Sequence, residues 1–449
     1  MSVPDLLDTR QFMPWPEGAA LVGGAVRDAL LGRPATDLDW LVADPAASSR
    51  RHAELLGGSR FLMDEERRHW RVALPHGAVH DFVPLRAGAR SLEEDLRLRD
   101  LTFNAMALTE AGTVVDPTGG RQDLGRKLVR MTSLACLNAD AVRPLRVVRF
   151  AATLAFDIED ETRAGAREAF EAQRGGHAPA PAWERVSAEL QAIVASRYAA
   201  RGFALLKASG GMALYLPELE LGRGVNQGAL HHLDVLDHQL ETLNQLLQGF
   251  PDAGPALRWA ALLHDVGKPA CVGRSPAGTP TFYGHDKVGS EMVRELLQRL
   301  RLPNDLVSKA TALVRYHMLP LPRGERAVRR FVHRRNELLP DLLKLMLADR
   351  EAARGRAAHE QARVAYRIQV SSVLAELETQ PSTPPLMNGD EVMALLGIEP
   401  GPRVGESLAL LSESQALGDV RDRGDAEALL LRYAAAQGWT RERAASRQR

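Results

Sequence analysis

Asp37 and Asp39 interrupt an otherwise apolar run, TDLDWLVADP at residues 36–45. Aspartate is among the residues that strands avoid, so two of them in a row of Leu38, Trp40, Leu41 and Val42 need a reason. Residues i and i+2 of a strand share a face, which projects both carboxylates together while Leu38 and Trp40 turn to the core. Such a pair repels itself unless a cation lies between. Mg²⁺ suits it, because that ion takes a few carboxylates and completes its shell with water and phosphate oxygens. Asp81, in VHDFVPLR, lies on a second apolar strand and is a candidate third acid. Acidic groups holding one or two Mg²⁺ ions are what in-line phosphoryl or nucleotidyl transfer requires. Upstream, LVGGAVRDALLG sets Gly23 and Gly24 at the mouth of a helix, where backbone N–H groups can approach phosphate. Arg27 follows in the first turn. Only 12 residues separate Gly24 from Asp37, so turn and carboxylates belong to one unit.

The elements that must position these groups are legible in outline. Between residues 19 and 130, short β-rich runs (DLDWLVA, HWRVAL, AVHDFVPLR, GTVVDP) alternate with helical patterns and turn signals. AALVGGAVRDALLG reads as a strand end, a turn and a helix closed by Gly32. From about residue 138 the strands stop and Ala/Leu/Arg-rich segments of helical period take over. The expected fold class is α+β followed by all-α. AQRGGHAPAPA (172–182), PELELGRGVNQG (217–228) and TQPSTPPLMNG (379–389) mark joints, and TRERAASRQR at the end is expected to fray.

In this order, LVGGAVRDALLGRPATDLDWLV, RDLTFNAMAL, DPTGGRQDLGRKLVRMT and DAVRPLRVVRFAATLAF resemble class II tRNA nucleotidyltransferases and bacterial poly(A) polymerases. The resemblance covers about the first 215 residues. It implies a polymerase-β-like nucleotidyltransferase head with a mixed sheet, followed by a helical neck. Asp37 and Asp39 would be the Mg²⁺ ligands and Asp81 would stand where the family has a third acid. Arg99 and Asp100 match the ribose-binding pattern, with Asn104 in the same helix. The family's base-reading Glu-Asp-x-x-Arg appears here as ADAVR, so Asp140 and Arg143 match and Ala139 replaces the glutamate. A carboxylate accepts from an exocyclic amino group and a guanidinium donates to ring acceptors, a pairing that C and A share. Arg146 and Arg149 follow Arg143 at i+3 and i+6, either as nucleotide contacts or as a solvated helix face. Glu184-Arg185…Glu189 resembles a further neck motif. Leu98, where the family has an arginine, and Ala139 are departures that bear on nucleotide choice.

Further on, HHLDVLDHQL, LLHDVGKP, YGHD, RYHML and LADR scatter His and Asp along a helical stretch. Imidazole plus carboxylate suits a divalent transition metal, and such a centre can activate water against a phosphate ester. The pattern resembles the HD phosphohydrolase superfamily. That resemblance implies His238, His264, Asp265 and Asp349 as ligands, His285 and His317 as the additions of two-metal members, and Lys268 as a phosphate contact. His231 and His232 read as capping or supporting residues. Phosphatase or 2′,3′-cyclic phosphodiesterase activity is what this resemblance implies.

Taken together, the expected parts are a head (1–135), a neck for base selection (136–216), an HD domain (217–380) and a C-terminal RNA-binding helical piece (381–449). The implied reaction is template-independent addition of CMP and AMP to a tRNA 3′ end from CTP and ATP. CC-only addition, A-only addition and poly(A) synthesis use the same head, and FLMDEERRHWRVAL lies where a flexible loop governs the C-to-A switch in the family. A more distant reading makes the chain an HD phosphohydrolase with an RNA-binding head. Lys+Arg and Asp+Glu both number 57, so RNA contact needs a local patch, and Arg323, Arg326, Arg329, Arg330, Arg334 and Arg335 form a candidate. Two cysteines exclude a disulfide framework. With no basic-then-apolar leader and no spanning apolar run, the expected location is cytoplasmic, away from membranes.

Overall fold

The computed structural model describes residues 6–35, 37–379 and 384–439. The expected joint at 379–389 falls partly, and the fraying tail at 440–449 wholly, outside them. Two compact units emerge: Met1–Leu221 with Glu295–Pro303, and Gly222–Arg294 with Asn304–Arg449.

The first unit is built on a seven-stranded mixed sheet of β1 (Ala20–Val22), β2 (Asp37–Leu41), β3 (Ser59–Asp64), β4 (His69–Ala73), β5 (Val79–Val83), β6 (Ala107–Leu108) and β7 (Val114–Val115). Its spatial order is β3-β4-β5-β2-β1-β6-β7. β2 and β5 run parallel, and Asp39 stands beside Asp81 across that pair and beside Val22 on the other side. β2 alternates as its sequence demands: Leu38 and Trp40 are buried and Asp37 and Asp39 are exposed. Trp40 packs edge-on against Trp15, and its ring lies in one cluster with Leu21, Val26, Phe82 and Phe103. Val147, Phe150 and Leu154 of the helix Arg143–Leu154 belong to that same cluster. This helix is thereby fixed to the sheet by a shared core.

Two strands escape the sequence pattern. β3 carries Phe61, Leu62 and Met63 in succession, all exposed, with no alternation to read. β6 has only two residues, at the end of a run, Leu101–Leu108, whose residues are all buried. Strands also persist beyond residue 138. Asp157–Ile158 pairs with Leu128–Val129, and Gly273–Arg274 pairs with Pro280–Thr281. Each is two residues long, too short for periodicity to register.

The second unit is helical apart from that small hairpin. Val235–Gly249, Pro255–Leu263, Asn304–Tyr316 and Asp341–Ala352 bury apolar faces, while Gly389–Leu396, Pro402–Ala416 and Arg423–Ala436 close on Val392, Leu411 and Leu430. The arginine patch is largely spoken for. On the helix Glu325–Arg335, Arg326 pairs with Asp419, Arg329 with Glu325 and Glu376, and Arg330 and Arg334 share Glu413. These carboxylates come from the same helix, from neighbouring helices and from the loop that carries Asp419. No helix among the described residues is long and apolar enough to cross a membrane.

Candidate active sites

In the first unit a cavity of about 420 Å³ opens over β2. It gathers residues from four separate stretches: Gly23 and Gly24, Asp39, Arg99 with Asp100 and Asn104, and Asp140 with Arg143, Arg146 and Arg149. Arg27 lines it as well. Asp37 is exposed on the same face of β2 but does not line the cavity. Arg86, Phe150 and Arg185 complete the wall. Arg86 gave no sequence signal, since it follows β5 as one arginine among many.

Gly23 adopts φ +77°, and a Cβ there would stand 3.1 Å from Arg99 Nη1 and 3.5 Å from Asp39 Oδ2. A side chain would be strained and would push on both groups. The helix that follows, Gly24–Leu30, is a short two turns. Arg27 is held in place by Asp28 (2.7–2.9 Å) and by the Asn104 Oδ1 acceptor (2.8 Å).

Loss of water around Asp39 raises its pKa, an effect that nearby Arg99 opposes. Neither Asp37 nor Asp39 forms an ion pair among the described residues, so two carboxylates on one face are left to a cation. That donor set fits Mg²⁺. Asp81 differs. Its two oxygens receive Arg71 Nε and Nη2 at 2.8 Å each, and His69 Nε2 stands 3.2 Å away. Burial raises its pKa, yet Arg71 and His69 outweigh this and hold it below the usual carboxylate value. The third acid sits beside Asp39 with its charge already matched.

The other cations are buttressed in the same way. Arg99 contacts Asp95, and burial followed by Arg86 brings its pKa down to about 10. Arg146 donates to Asp100 at 2.6 Å and lies 3.5 Å from Glu189, which also pairs with Arg149. Arg27, Arg146 and Arg149 all lie against the Phe150 ring. The i, i+3, i+6 arginines therefore all line the cavity, and Arg146 and Arg149 are braced there by Asp100 and Glu189. A second cavity of about 740 Å³ shares Arg86, Asp140 and Arg143 with the first. Ala139, Leu85 and the β3–β4 turn residues Arg67 and Arg68 line it.

In the second unit the scattered histidines converge. His238, His264 and Asp349 form one group and Asp265, His285 and His317 another, with ligand atoms in each within 4.8 Å of one another. Asp265 lies between them. Its Oδ2 is 3.2 Å from His264 Nε2 and 3.6 Å from His238 Nε2, and its Oδ1 is 3.3 Å from His285 Nε2 and 3.7 Å from His317 Nε2. The outward nitrogens of His264, His285 and His317 face the carbonyls of Ala261, Phe282 and Val314 at 2.7–3.0 Å. Donation there turns each Nε2 lone pair inward, the support that metal-ligating imidazoles receive.

His264 Nε2 and Asp265 Oδ2 are buried and lack a hydrogen bond of good geometry. Burial alone would lower the His264 pKa, but Asp265 and Asp349 raise it to about 10. The buried carboxylates and inward imidazole nitrogens make a mixed N/O donor set that a divalent metal fits. Lys268 is placed differently from a free phosphate contact: its Nζ is buried between Asp265 Oδ2 (2.6 Å) and Gln227 Oε1 (2.7 Å). His231 packs its ring 4.5 Å from His238, and burial brings its pKa down to about 4.

A sheet-borne carboxylate site and a helical His/Asp centre in one chain define a nucleotidyltransferase head joined to an HD domain. Residues 19–130 match the poly A polymerase head domain and residues 235–354 match the HD domain. The chain is 53% identical to the A-adding tRNA nucleotidyltransferase of Deinococcus radiodurans, across 94% of this chain and 96% of that relative. It is 42% identical to the CC-adding tRNA nucleotidyltransferase of Thermus thermophilus, across 93% and 94%. The chain belongs to the tRNA nucleotidyltransferase family, and it is an enzyme of that activity. Its fold matches the Bacillus stearothermophilus CCA-adding enzyme solved with CTP, with a TM-score of 0.62, 24% identity and 94% of each chain covered.

Proposed function

We propose that the chain completes tRNA 3′ ends by adding AMP from ATP, at the cavity where Asp39 faces Asp140 and Arg143. The observation that carries this reading is that shared cavity. It sets a cation-ready carboxylate and a base-reading pair around one space of nucleotide size. The choice of AMP rests on the 53% identity to an A-adding enzyme. Addition of CMP and AMP, the full CCA end, is the second reading, because Asp140 and Arg143 present a pattern that cytosine and adenine both satisfy.

In this reading the triphosphate lies among Arg27, Arg99, Arg146 and Arg149, and the base edge meets Asp140 and Arg143. Asp37 and Asp39 would hold Mg²⁺, which when bound supplies charge neutralisation at the reacting phosphate and the leaving pyrophosphate. The terminal 3′-hydroxyl oxygen bonds to the α-phosphorus, the bond to the pyrophosphate oxygen breaks, and the hydroxyl proton passes to water. The second cavity, continuous in its wall with the first and lined by Arg67 and Arg68, suits the RNA end that attacks. At the HD centre, His238, His264 and Asp349 on one side and Asp265, His285 and His317 on the other would hold divalent metal for phosphate-ester hydrolysis.

Extension of tRNAs ending before CCA, after C and after CC, with ATP, CTP or both, tests the reading. One AMP added to the CC end, and no CMP added to the shorter ends, is the expected pattern. CMP addition followed by AMP would select the full CCA reading. Ring opening of a 2′,3′-cyclic nucleotide by water to the nucleoside monophosphate, lost in Asp265→Asn, tests the HD assignment.

A further inference from the structure

Both base-reading groups are already occupied by the protein itself. Arg185, on the helix Trp183–Ala195, donates from Nη1 to Asp140 Oδ1 at 2.9 Å and from Nη2 to Oδ2 at 2.6 Å. Asp140 Oδ1 also accepts the Val142 N–H at 3.1 Å. Arg143 Nη1 donates to the carbonyls of Cys136 and Leu98. All three side chains line the cavity that contains Asp39. An incoming base therefore cannot simply land on a free carboxylate. It must exchange with bonds that are already made.

We propose that Arg185 is a positioning residue that sets base selectivity, by clasping Asp140 so that only a base able to replace a donated hydrogen bond can open the clasp. This rests on the nucleotidyl-transfer reading above. The exocyclic amino group of adenine or cytosine is a donor, and it substitutes for one Arg185 N–H bond on Asp140. The keto group that guanine or uracil presents at the same edge is an acceptor. Set against a carboxylate, it repels, and the two-bond arginine clasp stays shut.

The clasp has a second effect that agrees with the first. Burial pushes the Asp140 pKa up, and the Arg185 bonds are the leading influence that holds it down. Without Arg185 the carboxyl gains a proton more readily, and a carboxylic acid can donate to a keto oxygen. Arg185 thus blocks the wrong bases both by occupying Asp140 and by keeping it an acceptor. Arg185 is half exposed, so it can swing out toward solvent when displaced.

Equilibrium binding of ATP, CTP, GTP and UTP to the full chain, without tRNA, reads this selectivity apart from catalysis. Arg185→Ala is expected to narrow the ATP-over-GTP and CTP-over-UTP affinity ratios by tenfold or more. Arg185→Lys, which keeps the charge but offers no planar fork, should fall between the two. Asp140→Asn should erase most of the remaining ratio. An unchanged ratio in Arg185→Ala overturns the proposal, whether all affinities drop together or none do. Should the alanine variant lose its fold, an unchanged ratio in Arg185→Lys overturns it equally. If the wild type binds all four triphosphates equally, the clasp is overturned as well. If it selects normally but adds nothing to tRNA, the transfer reading fails and the clasp stands.

Discussion

At the scale of single residues, Asp39 carries the heaviest demand, because it alone joins the β2 carboxylate face to the nucleotide cavity. Asp39→Asn should slow nucleotide addition by roughly a thousandfold, as loss of a metal-holding group at a phosphoryl-transfer centre does. Nucleotide binding should persist, which a filter-binding assay beside the extension assay would check. Gly23 is constrained for a steric reason. Its φ of +77° and the 3.1 Å approach to Arg99 make Gly23→Ala strained in two ways. Thermal unfolding should show a loss of about 1–2 kcal/mol, with a parallel fall in activity because Arg99 and Asp39 both move. The sequence disclosed the aspartates by their conflict with strand propensity. It could not disclose that Asp81 is clasped by Arg71, because that pair is made across two strands whose pairing no local pattern specifies. The same holds for Arg185 and Asp140, 45 residues apart.

At the scale of elements, the parallel pair β2 and β5 is backed by a buried layer that includes two histidines. His52, on the helix Pro45–Leu56, meets His80 of β5 at 2.7 Å. Burial brings the pKa of each ring down to about 4. The sign follows directly: these rings stay neutral in the fold, while the unfolded chain takes up protons below pH 6.5. Their contribution is fully present above that pH and fades as pH falls toward 4, by about 2 kcal/mol per ring between pH 7 and 5. Urea unfolding at the two pH values should show His52→Gln losing less stability on acidification than the wild type. An equal loss in both would remove the pair from the account. The strands with alternation were readable from the sequence. β3 and β6 were not, since one has an unbroken exposed apolar run and the other only two residues. The arginines of Glu325–Arg335 show the converse limit: their helical spacing was legible, but carboxylates that pair with them, Asp419 of a loop and Glu413 of a helix, lie far along the chain.

At the scale of the whole molecule, each compact unit has its own metal-suited centre, and their compositions differ as their chemistry requires. Carboxylates alone serve the first, while imidazoles with carboxylates serve the second. The six His and Asp candidates could be picked out in the sequence because each sits in a short motif, yet the place of Asp265 between the two groups appears only when four helical segments converge. Metal analysis should find Asp265→Ala depleted of both ions and His317→Ala of one, because Asp265 faces both ligand groups and His317 only one. Nucleotide addition should depend on Asp39, with the base read by Asp140 and Arg143. Incubating a tRNA that ends in CC with each of the four nucleoside triphosphates tests it most directly. One added AMP, no GMP or UMP, and near-complete loss in Asp39→Asn is the predicted result. No extension with any triphosphate, or extension undiminished in Asp39→Asn, would contradict it.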